Sequence, residues 1–275
     1  PAVEAGDNYL HVGKLRLTYA GGKVELDGWE VVPVDETVPP DPTIQETVEQ
    51  LKQGIELKYG DVYHTVVGHA PWDLSKRYQA KSQLRDTAMG NLITDALRYR
   101  TKTRIALTVT GLISEGLYHG PIVGADVFRP VSYGYDPATG LGFKVATFDI
   151  TGAELLKGME VCLLNVTNQD TFDLQFSGLS YRYDSTRPFF QRIVPGSVYV
   201  NGRPIGAADT YSVTTNEGIA MLLPSMGVQV TNLKIGPDFE YKALSDYIWR
   251  LEWLPYTPQG RIRDVGVKCP WWWCW

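Results

Sequence analysis

Four histidines, His11, His64, His69 and His119, and three cysteines are the side chains best suited to hold a transition metal, and they are scattered along the chain. A two-metal hydrolase needs dense ligand motifs such as Asp-x-His, Gly-Asn-His or His-x-His, because two cations must share several ligands at once. None occurs here; His69 follows Gly68, but no Asn, Asp or second His adjoins it. Nucleophile and phosphate-cradling motifs are missing as well: there is no Gly-x-Ser-x-Gly elbow, no Walker loop and no Gly-x-Gly-x-x-Gly. Two carboxylate pairs, Glu25/Asp27 and Asp86/Asp95, have the residue types of acid–base couples. Cys162 falls on the apolar side of a helical pattern, as a small buried hydrophobe would. The sequence thus predicts no catalytic residue and no metal ligand of its own.

Composition narrows the class further. With 275 residues, 44% hydrophobic and 21% charged, the chain can bury a core as one large domain or two unequal ones. Its 26 Lys and Arg against 31 Asp and Glu give a net charge of -5, which removes the electrostatic attraction that drives general nucleic-acid binding. No apolar run approaches the ~20 residues of a membrane span, and no secretory leader pattern follows Pro1, as expected for a mature protein or a fragment. The tail Cys269-Pro270-Trp271-Trp272-Trp273-Cys274-Trp275 would be an adhesive patch if exposed. Three readings stay open for it: a sequence foreign to the fold, an anchor on a partner or surface, or a lid closed by a Cys269–Cys274 disulfide.

The elements that must position any site are readable in order. Leu15 to Tyr19 and Val24 to Leu26 flank a Gly21-Gly22 turn and predict a β-hairpin, with a further strand at Val31 to Val34. Asp41 before Pro42 starts a helix, and Ile44, Val48, Leu51 and Ile55 give it one apolar stripe. A second helix around Met89 to Leu97 leads into a buried strand, Ile105 to Val109. Val145 to Ile150 predicts a strand, and Thr151-Gly152-Ala153-Glu154 a capping box for the next helix. Leu174 to Tyr183 alternates, Ser197 to Val200 meets an Asn201-Gly202 turn, and Tyr211 to Thr215 and Val228 to Thr231 read as short strands before a last helix, Leu244 to Trp249. The fold class expected is mixed, α+β with α/β-like units.

Leu84-Arg85-Asp86-Thr87-Ala88-Met89-Gly90-Asn91-Leu92-Ile93-Thr94-Asp95-Ala96-Leu97-Arg98 closely resembles the opening helix of the C-terminal domain of the 5'-nucleotidase family, Arg-Glu-x-x-x-Gly-Asn-Leu-(Ile/Ala)-x-Asp-Ala-x-Arg. Later landmarks keep the family order: Ile105-Ala106-Leu107, Thr151 to Glu160, Phe176-Ser177-Gly178-Leu179, Val200 to Ile205, Thr210 to Asn216 and Gly260 to Asp264. The likeness runs from Pro1 to about Val265. Val3 to Gly6 and Val12 to Leu15 resemble the last strands of the family's metallophosphoesterase domain, and the Asp41 helix is similar to its interdomain linker. The division implied is 1–38 as those strands, 39–60 as the linker helix, 61–267 as the C-terminal domain and 268–275 as the tail.

The resemblance implies a substrate-recognition domain. In such enzymes two divalent metal ions and the catalytic groups belong to the N-terminal metallophosphoesterase domain, which would be this chain's partner; the expected substrate is a small phosphorylated compound, and the setting periplasmic, extracellular or cell-surface. Arg85 matches a family arginine that binds phosphate, for which a guanidinium fork is suited. Ser114 stands where the family has a second arginine, and Val131 and Glu217 stand where it has two phenylalanines that sandwich the base. Asn216 keeps the family asparagine, and Tyr133 and Tyr135 are the nearby aromatics able to take over stacking. The other reading from these replacements is a non-catalytic structural or protein-interaction module that has lost the pocket.

Overall fold

The computed structural model describes residues 5, 10–166 and 172–268, so the Val3–Glu4 and Gly6 positions and the Cys269–Trp275 tail lie outside the described residues. The chain divides into two compact units, Pro1–Gly60 and Asp61–Trp275.

In the first unit, β1 (His11–Ala20) and β2 (Lys23–Pro33) form an antiparallel hairpin around Gly21 and Gly22, both at positive φ as a two-residue turn requires. The expected separate strand at Val31–Val34 is instead the end of β2, which runs to Pro33, because after a bulge between Arg16 and Leu17 Val31 pairs with Gly13 and Val32 with Val12 in the same ladder. Helix α1 (Pro42–Tyr59) starts where Asp41 accepts hydrogen bonds from the Thr43 and Ile44 amides, at 2.9 and 3.1 Å. Its Ile44, Val48, Leu51 and Ile55 stripe is exposed.

The second unit is a mixed α+β arrangement. In chain order it contains β3 (Val66–Ala70), α2 (Ala88–Thr101), β4 (Ile105–Val109), β5 (Gly120–Val123), α3 (Gly124–Phe128), β6 (Lys144–Thr151) and α4 (Gly152–Cys162). There follow β7 (Leu174–Ser177), β8 (Leu179–Tyr183), β9 (Tyr199–Val200), β10 (Arg203–Pro204), β11 (Thr210–Asn216), α5 (Glu217–Leu222), β12 (Thr231–Phe239), α6 (Glu240–Leu251) and β13 (Ile262–Asp264). A five-stranded sheet has the order β12-β6-β11-β4-β7, in which only β11 and β4 run parallel. Strand alternation splits its two faces. Ile105, Leu107 and Val109 join Phe148, Ile150, Leu155, Met159 and Ile219 in one core cluster. Ala106 and Val145 face the other way, onto Met89, Leu92 and Ile93 of α2 and Leu244 and Ile248 of α6. A second sheet has the order β10-β9-β8-β13, and β3 pairs with β5.

Four local expectations change. The alternating run from Leu174 to Tyr183 is two strands, because Gly178 turns the chain at φ 78 and lies so close to the Arg104 carbonyl that a Cβ there would come within 2.2 Å of it. The strand expected at Val228–Thr231 begins only at Thr231; Val228 is buried against α4, where it contacts Gly158. The capping box at Thr151 is half-made: Thr151 accepts from the Glu154 amide, while the Glu154 carboxylate accepts from the Gln229 amide instead of reaching back. The last helix starts at Glu240, four residues before the apolar pattern shows it. No helix among the described residues is long and apolar enough to cross a membrane.

Candidate functional site

Several of the candidate residues stand on segments that meet at one end of the five-stranded sheet. Parallel β4 and β11 finish there, at Val109 and Asn216; antiparallel β6 starts there, with Val145 opposite Asn216; β7 starts opposite Val109, and β12 finishes opposite Lys144. Space beyond the carboxyl ends of parallel strands is where sheets of this kind collect ligands. Ser114, Val131, Tyr133, Tyr135, Asp173, Asn216, Glu217 and Glu240 all belong to the segments that begin or end at this edge or lead from it.

Asn216 is 1% exposed and its side chain is fully engaged. Its Oδ1 accepts from the Ile219 amide at 2.9 Å, capping α5, and its Nδ2 donates to both Glu240 oxygens at 3.2 and 3.3 Å. Burial pushes the Glu240 carboxyl up to about 8, against the pull of the Asn216 hydrogen bond. Glu217, the next residue, is half-buried in the first turn of α5.

On the β4 side, Ser114 Oγ donates to the Arg129 carbonyl at 2.5 Å and meets Ser132 Oγ at 2.8 Å, while Lys76 Nζ donates to the Ser114 carbonyl at 3.0 Å. Val131 is buried in the cluster under α2 and α6, so the position carries core packing and presents no ring. Tyr133 and Tyr135 remain exposed, Tyr135 at 76%. They sit on a loop closed by Phe143 N to Tyr133 O and Asp136 N to Leu141 O, both 2.9 Å. The Lys144 ammonium, 3.0 Å from Asp136, holds that carboxyl down at about 2 with help from the Thr139 amide. The Phe143 ring lies against Gly134 and Gly218, where added Cβ atoms would approach it to 2.5 and 2.7 Å, so both positions exclude larger residues.

Arg85 is placed inside the fold, 6% exposed. Its guanidinium donates to the carbonyls of Ser82 and Leu84, lies 3.7 Å from Asp264 and stacks 4.5 Å from the centre of the Tyr78 ring. Tyr78 in turn donates to Asp173 at 2.7 Å, and Asp173 is pushed up to about 7 by burial, against the opposing effects of Tyr78 and Arg85. Arg85, Asp173, Tyr181 and Tyr183 line a cavity of about 10 Å³, room for one water at most.

The remaining titratable candidates have structural partners. Asp86 accepts from Asn91 Nδ2 and from the Gln259 and Gly260 amides, and Asp95 holds Arg261 in a two-pronged pair at 2.9 and 2.7 Å. The Asp86/Asp95 acid–base couple is therefore corrected to two separate structural anchors. Cys162 is buried, its thiol pushed up to about 12 by desolvation, beside an apolar cavity of about 50 Å³ lined by Leu107, Phe148 and Met159 among others. Sequence reasoning did not single out Glu240, Asp173, Tyr78 or Phe143. Glu240 and Asp173 read locally as ordinary surface carboxylates, and only the strand register brings them to this edge.

Comparison with known proteins agrees with this architecture. The family described as "5'-nucleotidase, C-terminal domain" matches residues 51–222. Two curated relatives come from Bacillus subtilis (strain 168). The trifunctional nucleotide phosphoesterase protein YfkN is 26% identical over 257 residues, covering 89% of this chain and 17% of that protein. Endonuclease YhcR is 28% identical over 242 residues, covering 85% and 18%. The chain thus spans less than a fifth of either relative. Among solved structures, a 5'-nucleotidase precursor from Thermus thermophilus superposes with a TM-score of 0.74 at 24% identity, over 94% of this chain and 50% of that one. The Thermus thermophilus sulfate thiohydrolase SoxB gives 0.69 at 17%, over 95% and 46%. These likenesses establish the fold, and the family match over more than half of the chain gives its membership: this protein belongs to the 5'-nucleotidase C-terminal domain family.

Proposed function

We propose that this chain is the substrate-recognition part of a 5'-nucleotidase-like metallophosphohydrolase that acts on phosphate esters in a periplasmic, extracellular or cell-surface setting. In this reading residues 1–38 are the last strands of a metallophosphoesterase domain, 39–60 the linker helix, 61–267 the recognition domain and 268–275 a separate tail. Two divalent metal ions and the catalytic groups belong to the main body of the metallophosphoesterase domain, upstream of Pro1. The observation that carries the reading is the placement of Asn216 at the end of β11 with Glu217 after it, and of Ser114 and Tyr133 on the segments that follow β4 and lead into β6. Tyr133 and Tyr135 are the exposed aromatics that this edge's loop offers to a substrate.

A second reading, a structural or protein-interaction module without a nucleotide pocket, has one observation in its favour. Arg85, Val131 and Asn216 are all turned to the interior and engaged there. The two readings are separated by assaying the whole gene product and the isolated 275-residue chain for phosphate release from AMP and p-nitrophenyl phosphate with manganese, zinc or cobalt. Activity in the whole product and none in the chain is expected. Activity in the chain alone overturns the placement of catalysis elsewhere, and inactivity of the whole product favours the second reading.

A further inference from the structure

Between β8 and β9 the chain makes an excursion whose tip is Pro188-Phe189-Phe190-Gln191. Its neck is closed by Asp184 N to Arg192 O at 2.8 Å and Val194 N to Arg182 O at 2.9 Å, and its tip by Gln191 N to Pro188 O at 3.2 Å. Phe190 is therefore the third residue of a tight turn, and its φ is 60°. That position favours glycine or asparagine, because a Cβ in the left-handed region crowds the following carbonyl. The other non-glycine residues at positive φ among those described are Lys102, Asn201, Asn232 and Glu252, so Phe190 is the one aromatic. Its ring gains no shelter in return. Phe189 is 59% and Phe190 61% exposed, side by side at the end of a projecting loop.

A bulky residue kept in a strained conformation with its ring in water points to a contact outside the chain. The charge around the tip indicates which kind. From Arg182 to Pro195 there are three arginines against one aspartate, in a chain whose net charge is -5; from outside the loop the Glu160 carboxylate accepts from the Arg192 and Ile193 amides at its base. The aspartate, Asp184, is engaged by the Thr186 amide and hydroxyl within its own turn. Arg192 lies over the Phe189 ring at 4.7 Å, with its head anchored on the Leu163 and Arg187 carbonyls, and Arg187 reaches the Ile193 carbonyl. Two adjacent rings on a projecting turn offer far less surface than the ~800 Å² per partner of a specific protein interface. Rings at the tip with cations set behind them is the arrangement that enters a headgroup layer.

We propose that the Phe189–Phe190 tip is a membrane-contact loop that seats its rings among the headgroups of an anionic bilayer, with the arginines of the loop adding attraction to the lipid phosphates. The test is sedimentation of the full 275-residue chain with vesicles of phosphatidylcholine, with and without phosphatidylglycerol. The wild type should bind the phosphatidylglycerol vesicles more tightly, and added salt should weaken but not abolish binding. A Phe189→Ser, Phe190→Gly variant, which keeps the tail and the hairpin, should lose affinity by about tenfold per ring. Phe190→Gly alone should leave Tm unchanged or raise it, because it relieves the turn. Absence of vesicle binding by the wild type, as for a loop that serves a protein partner, overturns the proposal. So does equal binding of wild type and variant, or a fall in Tm for Phe190→Gly, which would show that the ring packs on its own domain.

Discussion

Arg85 and Asp264 face each other with side chains only 7% and 4% exposed, so removal of either leaves a buried charge without its partner. Arg85→Ala is expected to cost about 3–5 kcal/mol in a urea titration, the range for breaking a buried pair. At the sheet edge the prediction concerns ligands. Stacking a base on an aromatic is worth roughly 1–3 kcal/mol, and a hydrogen bond to a charged group roughly 1.5–3. Val131, Glu217 and Ser114 supply neither, so AMP and adenosine should bind the isolated chain in the millimolar range or more weakly by calorimetry. Micromolar binding that is lost in Tyr133→Ala or Tyr135→Ala would instead show that the exposed tyrosines have rebuilt the platform. Glu240 makes a third prediction, about pH. Its carboxyl is raised from 4.5 to about 8, so between those values the folded state keeps a proton that the unfolded state has lost, and stability falls as pH rises. Asp173, raised from 3.8 to about 7, acts in the same direction. Glu240→Gln should therefore raise Tm relative to wild type above pH 8 and change it little below pH 4.5.

Gly178 carries the turn between the two sheets, so Gly178→Ala should destabilise the protein by at least ~1 kcal/mol through the positive φ alone, and by more through the Arg104 carbonyl at 2.2 Å. Circular dichroism melts of the variant measure it. That pivot also shows what could be read from sequence and what could not. Elements with their own local signal were legible: the hairpin from Gly21-Gly22, α1 from Asp41-Pro42, α2 from its apolar period, β4 and β6 from their apolar residues, and the β9–β10 turn from Asn201-Gly202. Elements held by distant partners were not. β13 is three residues long and exists because Ile262 to Asp264 pair with Tyr181 to Tyr183. β12 contains Gly236 and Pro237, is mostly exposed, and shifts register twice against β6. The site followed the same division. Asn216 and Tyr133 were found because they stand in or beside a family pattern, whereas Glu240 entered only when the end of β12 was laid beside β6, next to the end of β11.

Across the whole second unit, the last described segment serves as a clasp. The Ile262 carbonyl receives the Arg85 amide, the Asp264 amide donates to the Gln83 carbonyl, Arg261 pairs with Asp95, and the Gln259 and Gly260 amides satisfy Asp86. Truncation after Thr257 should therefore leave Arg85, Asp86 and Asp95 short of partners and convert the unit to a loosely packed state, detected as loss of near-ultraviolet dichroism with helix retained. The clasp also sets the timing of folding. Asp86 and Gly260 are 174 residues apart, so during synthesis the motif at the start of α2 must wait until Gly260 has been made. At ~5–20 residues per second that delay is on the order of 10–35 s. The domain would reach its native state only once Gly260 has left the ribosome, and a nascent chain stalled before Gly260 should stay sensitive to protease throughout.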